Sequence, residues 1–233
     1  FIAIKEIIDG VKKNKKYSSI SDEIILNEFN KIPKNNLPRM QNKLLIKEIR
    51  SKLHRTYAVF QTKKKKKNEI YLKNLKISIE NNNKESIIEL TKKILSGTIP
   101  TNERLEFYPS LYNNLFEITT NPQTVIDLGS GLNPLSFPFM NLKKLKYYAY
   151  DVDESDINFL NNYFSLMNTL GLEGIATISD ITVKKNIIDL PHADIIFLFK
   201  ILDLVDSKNK KSKKWSEELL LLLRKKCNFI IVS

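Results

Sequence analysis

Cysteine occurs once, at Cys227, so the chain can close no intramolecular disulfide and build no multi-cysteine zinc site. That usage fits a reducing cytoplasm, the compartment expected for this protein. Histidine occurs twice, and neither His54 nor His192 has a partner ligand or base at a suitable spacing. No metal site is therefore expected. Six glycines and eight prolines in 233 residues argue against a disordered or fibrous chain. No apolar run approaches the roughly 18–20 residues that a membrane span needs. The longest runs, at 195–199 and 219–223, are far shorter, and the second is flanked by charge on both sides. Residues 1–8 are too short and too interrupted by charge for a signal peptide. The chain does not begin with Met, so the numbering is expected to start inside a reading frame or after processing.

What the chain does have is positive charge, +12 overall, and 42% apolar residues, enough for one large domain or two small ones. The charge is uneven. Residues 1–100 carry 23 Lys and Arg against 10 Asp and Glu; residues 101–233 carry 15 against 16. A codon bias toward lysine would spread the excess evenly. A basic module (1–100) beside a neutral one (101–233) instead suggests a polyanion-docking part and a chemistry part. An anionic membrane surface is a weaker alternative, because no basic amphipathic stretch with aromatic anchors stands out.

The first hundred residues read as helices, with apolar positions at i, i+3 and i+4 over 2–11, 24–32 and 44–60. Ser21, followed by Asp22 and Glu23, can cap the second. Pro33 and Pro38 bracket a linker, and five lysines at 63–67 break the pattern as a solvated loop or a phosphate contact. Further helices are predicted over 69–80 and 84–95, with Gly97 as a stop, and over 103–118. Beyond that, apolar strands over 124–128, 146–152, 174–179, 193–199 and 228–232 alternate with helical segments at 134–142, 154–170 and 213–226. This alternation predicts an α/β fold with a parallel sheet, whose ligands bind beyond the carboxyl ends of the strands.

Those strand ends carry a pattern. The first runs into Asp127-Leu128-Gly129-Ser130-Gly131, the second ends in Asp151-Val152-Asp153, and the third in Ser179-Asp180-Ile181. Three strands thus deliver carboxylates to one edge. A dinucleotide site wants a third glycine, but Pro134 stands there, and Asp127 would repel a pyrophosphate. S-adenosyl-L-methionine has no phosphate and carries a sulfonium and an ammonium, which an acidic pocket suits. Asp127 would face its methionyl end, Gly129 and Gly131 would admit close backbone approach, Asp151 would accept from the ribose hydroxyls, and Asp180 from the adenine amino group, with Ile181 against the ring. A plain βα turn with solvated acids is the bland alternative.

The pattern is that of class I methyltransferases, and further segments narrow the likeness. Thr101-Asn102-Glu103-Arg104-Leu105 resembles the His-x-Ser-Thr-Arg-Glu-Arg-Leu element of the aminoglycoside-resistance ribosomal RNA methyltransferases, which act on guanine N7 in the decoding site of small-subunit (16S) RNA. The Gly-Leu-Asn-Pro-Leu of 131–135 and the Phe-Lys-Ile-Leu of 199–202 are similar to that family's glycine loop and post-strand-four segment. Lys52-Leu53-His54 resembles its Lys-Leu-His in the helical extension, and 229–233 its fifth strand. The resemblance implies a Rossmann-like class I methyltransferase sheet behind an all-helical N-terminal domain. It implies a cofactor site of Phe60, Thr98, Arg104, Asp127, Gly129, Ser130, Gly131, Asp151, Val152, Asp180, Ile181 and Phe199, with Arg104 on the cofactor carboxylate. Where that family has His, Ser and the first Arg, this chain has Thr98, Pro100 and Asn102.

Guanine N7 has an in-plane lone pair, so its methylation needs positioning and base flipping and no general base. No catalytic acid or base is expected. Lys200 is the candidate for positioning the substrate, through a phosphate or the target base; a surface lysine at the strand's end is the alternative. The expected partner is ribosomal RNA or the assembled small subunit, met by a monomer. Methylation of another RNA or of a ribosomal protein stays open, as does a non-catalytic RNA-binding role on the same scaffold. Five strands are two fewer than the fold usually has, so the methyltransferase domain is expected to be C-terminally incomplete.

Overall fold

The computed structural model describes residues 4–33, 41–56, 67–202 and 215–233. Phe60, most of the 63–67 lysine run and most of the linker between Pro33 and Pro38 lie outside these residues.

Among the described residues seven α-helices precede the sheet: α1 (Ile4–Lys12), α2 (Asp22–Asn30), α3 (Asn42–Thr56), α4 (Asn68–Glu80), α5 (Lys84–Leu95), α6 (Ile99–Arg104) and α7 (Tyr108–Thr119). Ser21 caps α2 as its sequence suggests, in extended backbone with its hydroxyl accepting from the Ile24 N–H. The apolar pattern predicts one helix over 103–118; the structure has α6, a break, and α7. Pro109 explains the break, because it has no N–H to give and its ring would collide with the carbonyl four residues back. Arg104 is the last residue of α6, at the break.

Strands β1 (Thr124–Leu128), β2 (Leu145–Asp151), β3 (Leu172–Ile178), β4 (Ala193–Leu198) and β5 (Cys227–Val232) form one parallel sheet in the order β3-β2-β1-β4-β5. Helices α8 (Glu154–Met167), α9 (Lys184–Ile188) and α10 (Trp215–Leu223) fill the crossovers. Between β1 and β2 the expected α-helix is instead a 3-10 helix, Asn133–Phe139, with Pro138 inside it, where proline has no N–H for an α-helical bond and its ring crowds the carbonyl four residues back.

Side chains alternate along the strands. Val125, Tyr147, Ile195 and Phe197 face a core shared with α4, α5, α7 and α8, while Ile126, Leu128, Ile196 and Leu198 face α9 and α10. Helices α1–α3 have a core of their own, built on Val11, Ile24, Leu45 and Ile49, and Val152 joins it from the end of β2. Trp215 anchors α10 by donating its indole N–H to the Ile181 carbonyl at 3.2 Å. Strand order reverses at β1, between β2 and β4, so a crevice opens above the carboxyl end of β1.

Candidate active site

The turn after β1 is shaped by two glycines with positive φ, Gly129 at 69° and Gly131 at 47°. Its amides point back to β2: the N–H groups of Gly129 and Ser130 both donate to the Tyr150 carbonyl, at 2.8 and 3.0 Å. Gly131 N–H donates to Asp151 Oδ2 at 2.7 Å. The other carboxylate oxygen of Asp151 accepts from the N–H groups of Val152 and Asp153, at 2.7 and 3.1 Å. Burial pushes the Asp151 carboxyl up, and these backbone donors pull it back. Asp151 therefore ties the glycine turn to the end of β2.

Asp127 is 1% exposed, and its Oδ2 accepts from Tyr147 Oη at 2.7 Å and Asn133 Nδ2 at 2.8 Å. Burial is the largest influence on it and raises its pKa to about 6, against the pull of those two donors and of Arg104. Asn133 also accepts at Oδ1 from Tyr108 Oη (3.0 Å) and, at 3.4 Å, from Arg104 Nη2. Arg104 lies over the Phe199 ring, 4.9 Å from its centroid. Its Nε and Nη1 are buried and have no hydrogen-bond partner among the described residues.

One cavity gathers Thr98, Arg104, Asp127, Gly129, Ser130, Gly131, Asp151, Val152, Ile181, Phe199 and Lys200. Of the residues read from the sequence, Asp180 is not among those lining it, although Ser179 and Ile181 on either side of it are. Asp180 Oδ1 accepts from the N–H and hydroxyl of Thr182, at 2.9 and 2.6 Å. Its Oδ2 is buried with no hydrogen-bond donor among the described residues, and Lys31 Nζ stands 3.9 Å away. The Thr98 hydroxyl meets that of Thr101 at 2.6 Å, and Thr101 donates its only hydroxyl proton to the Leu95 carbonyl, so Thr98 is the donor of the pair. At the mouth, Lys200 has a positive φ of 56° and pairs with Glu103 of α6. Cys227 opens β5 at the opposite edge of the sheet, and burial pushes its thiol up to about 11, far from nucleophilic use.

Sequence reasoning missed Lys16 and Ile20, which line the cavity from the N-terminal helices. It also assigned no role to Asn133 or Tyr147. Asn133 sits inside the glycine loop, a signal that was available; the contacts of Ile20 and Tyr147 are long-range and leave no local trace. Among the described residues no cluster of His, Cys, Asp and Glu could hold a metal ion, and no helix is long and apolar enough to cross a membrane.

The family profile described as Ribosomal RNA methyltransferase (FmrO) matches residues 14–233. The chain belongs to the FmrO family. Curated relatives agree: this FmrO-family chain is 28% identical over 220 residues to a 16S rRNA (guanine(1405)-N(7))-methyltransferase of Proteus mirabilis, covering 90% of the chain and 74% of that protein. It is 26% identical over 168 residues to the enzyme of the same description from Micromonospora rosea, covering 72% of the chain and 59% of that protein, less than two thirds of its length. Among solved structures it is similar to the 16S rRNA methyltransferase RmtF in complex with S-adenosyl-L-homocysteine, with TM-score 0.72 and 20% identity over 95% of this chain and 77% of that one. The 16S rRNA methylase RmtB gives TM-score 0.67 and 18% identity over 100% and 84%. Both likenesses establish the class I methyltransferase fold.

Proposed function

We propose that this FmrO-family protein transfers a methyl group from S-adenosyl-L-methionine to N7 of a guanine in the decoding site of small-subunit ribosomal RNA. The observation that carries the cofactor is Arg104. Two buried guanidinium donors with no partner among the described residues, on an arginine that lines a cavity with Asp127 and Asp151, call for a ligand with a carboxylate beside positive charge. A methionyl sulfonium ligand has both. The residues fit the group: Arg104 would hold its carboxylate and Asp127 its ammonium end. Gly129, Ser130 and Gly131 would lie along it, and Asp151, Val152, Ile181 and Phe199 would enclose the nucleoside. Asp180, whose Oδ2 accepts no hydrogen bond among the described residues, and Thr98, through its hydroxyl, would complete the set, and the sequence adds Phe60.

When bound, that cofactor supplies an electrophilic methyl carbon. The protein's own work is then placement. Phe199 and Arg104 make a rigid stacked wall, Asp127 and Asp151 hold the turn, and the buried floor excludes water. Lys200, held at positive φ beside the mouth, would meet the flipped nucleotide or its phosphate once it leaves Glu103. Nothing in the site has to take a proton, since N7 carries none. The basic helices α1–α3 would dock the RNA backbone. The name borne by the relatives from Proteus and Micromonospora supports guanine N7 as the acceptor.

The test is a mapped methyl mark. Isolated small ribosomal subunits are incubated with the protein and methyl-labelled S-adenosyl-L-methionine, and the product is read by mass spectrometry and primer extension. The expected result is one 7-methylguanine in the decoding site. Label on ribosomal protein, or on a base elsewhere, would refute the assignment.

A further inference from the structure

The strap between α1 and α2 belongs to two sites at once. It follows a dense basic stretch, Lys12, Lys13, Lys15 and Lys16, that leads out of α1. It is also a wall of the cavity, through Lys16 and Ile20. Ile20 is 2% exposed and forms an antiparallel bridge with Asp153. On either side of that bridge Ser21 N–H donates to the Val152 carbonyl at 3.3 Å and Glu154 N–H donates to the Ser19 carbonyl at 2.8 Å. Ser19 Oγ donates to Asp153 Oδ2 at 2.7 Å. The segment clamped in this way, 152–154, is the one whose first two N–H groups hold the Asp151 carboxylate, which in turn holds Gly131. The end of α1 is fixed from the other side by Arg50 of α3, which donates to the carbonyls of Gly10 and Val11.

We propose that Ser19 and Ile20 are positioning residues of the cofactor site, supplied by the RNA-docking helices, and that through them cofactor and RNA tighten each other's binding. The inference rests on the cofactor and RNA readings given above. The physical basis is shared ordering. A phosphate backbone held at the lysines of 12–16 fixes the strap, and the strap fixes Val152, Asp153 and the Asp151 carboxylate, so the second ligand meets a site already ordered. Linkage makes the effect reciprocal: the factor by which RNA tightens the cofactor equals the factor by which the cofactor tightens RNA.

The experiment is equilibrium dialysis of the full chain with tritiated S-adenosyl-L-homocysteine, with and without saturating small ribosomal subunits, together with the reverse titration. The expected coupling is about fivefold or more, equal in both directions. Ser19→Ala and Ile20→Ala should each shrink it toward one, while Ser19→Thr, which keeps the hydroxyl, retains it. A general loss of packing would weaken binding without erasing the ratio. If Ile20→Ala does not fold, Ser19→Ala, which leaves the core intact, decides alone. Cofactor binding with no coupling in the natural chain, or coupling undiminished in Ser19→Ala, overturns the inference and leaves the cofactor reading standing. No binding of S-adenosyl-L-homocysteine under either condition overturns both.

Discussion

Arg104, half-buried with Nε and Nη1 out of reach of solvent, and the fully buried Asp127 stand on either side of Asn133, and each makes a separate prediction. Arg104 has two donors unpaired among the described residues, so a ligand carboxylate there would complete a desolvated, bidentate pair. Arg104→Ala should weaken S-adenosyl-L-homocysteine binding by roughly 30-fold or more, since truncating one partner of such a pair costs about 2–5 kcal/mol. Arg104→Lys should recover only part of that, because an ammonium cannot reproduce the fork. Calorimetry of the folded variants measures both. Asp127 predicts a pH dependence. Its pKa in the folded protein, about 6, lies above the usual carboxylate value, and burial is the cause. Ionising it costs the free protein stability, so its contribution is fully present below about pH 4 and is lost as pH rises through 6. A cationic ligand prefers the ionised form, so its binding should weaken as pH falls below 6 and should release protons near that pH. Asp127→Asn should flatten both profiles, read by thermal melts and by calorimetry in buffers of different ionisation enthalpy. These two residues were legible in the sequence because each lies in a short contiguous motif. Tyr147, which donates to Asp127 from the next strand, was not, because the pairing of Asp127 with Ala149 that brings β2 alongside joins residues over twenty positions apart.

The turn after β1 shows what an element requires of its residues. Gly129 and Gly131 both have positive φ, but a side chain would fare differently at the two. A Cβ on Gly129 would stand 2.6 Å from the Ile201 side chain, while one on Gly131 would meet nothing within 4 Å. Gly131→Ala should therefore cost only the conformational term, about 1–2 kcal/mol. Gly129→Ala should cost more and displace Ile201, which lines the cavity. Thermal melts of the two variants give the order, and equal melting temperatures would contradict it. Most elements were legible from periodicity: the strands are short apolar runs between turn residues, and α2 begins at the side chain read as its cap, Ser21. The proline effects were under-read. Pro109 splits a helix whose apolar pattern continues through it, and Pro138 lies inside a predicted α-helix that is a 3-10 helix instead. Apolar spacing reports the buried face, and it is blind to a missing N–H.

At the scale of the whole molecule, charge and packing divide the chain at nearly the same place, between α3 and α4. Residues 1–67 carry 18 Lys and Arg against 6 Asp and Glu, whereas residues 68–100 carry only 5 against 4, and there α4 and α5 bury Leu72, Leu75, Ile87 and Ile94 in the same core as the sheet. Helices α1–α3 keep a separate core, which Val152 joins from the sheet region. Charge is a property of surface composition and could be read from the sequence; which helix packs where depends on long-range packing and could not. The arrangement predicts that RNA docking and cofactor binding, each measured without the other ligand, separate cleanly by mutation. Lys13, Lys15, Lys43 and Lys47 are exposed on and beside α1 and α3, and none of them lines the cavity. Changing all four to Gln should leave S-adenosyl-L-homocysteine affinity unchanged. It should weaken small-subunit binding and flatten the dependence of log affinity on log salt concentration by about 0.7–0.9 for each phosphate that is no longer neutralised. Asp151→Asn should do the opposite, because it weakens the acceptor that holds Gly131, Val152 and Asp153 while changing one charge far from those lysines. A quadruple variant with an undiminished salt slope would mean that the RNA is held by some other face, and the basic helices would then need a different explanation for their charge.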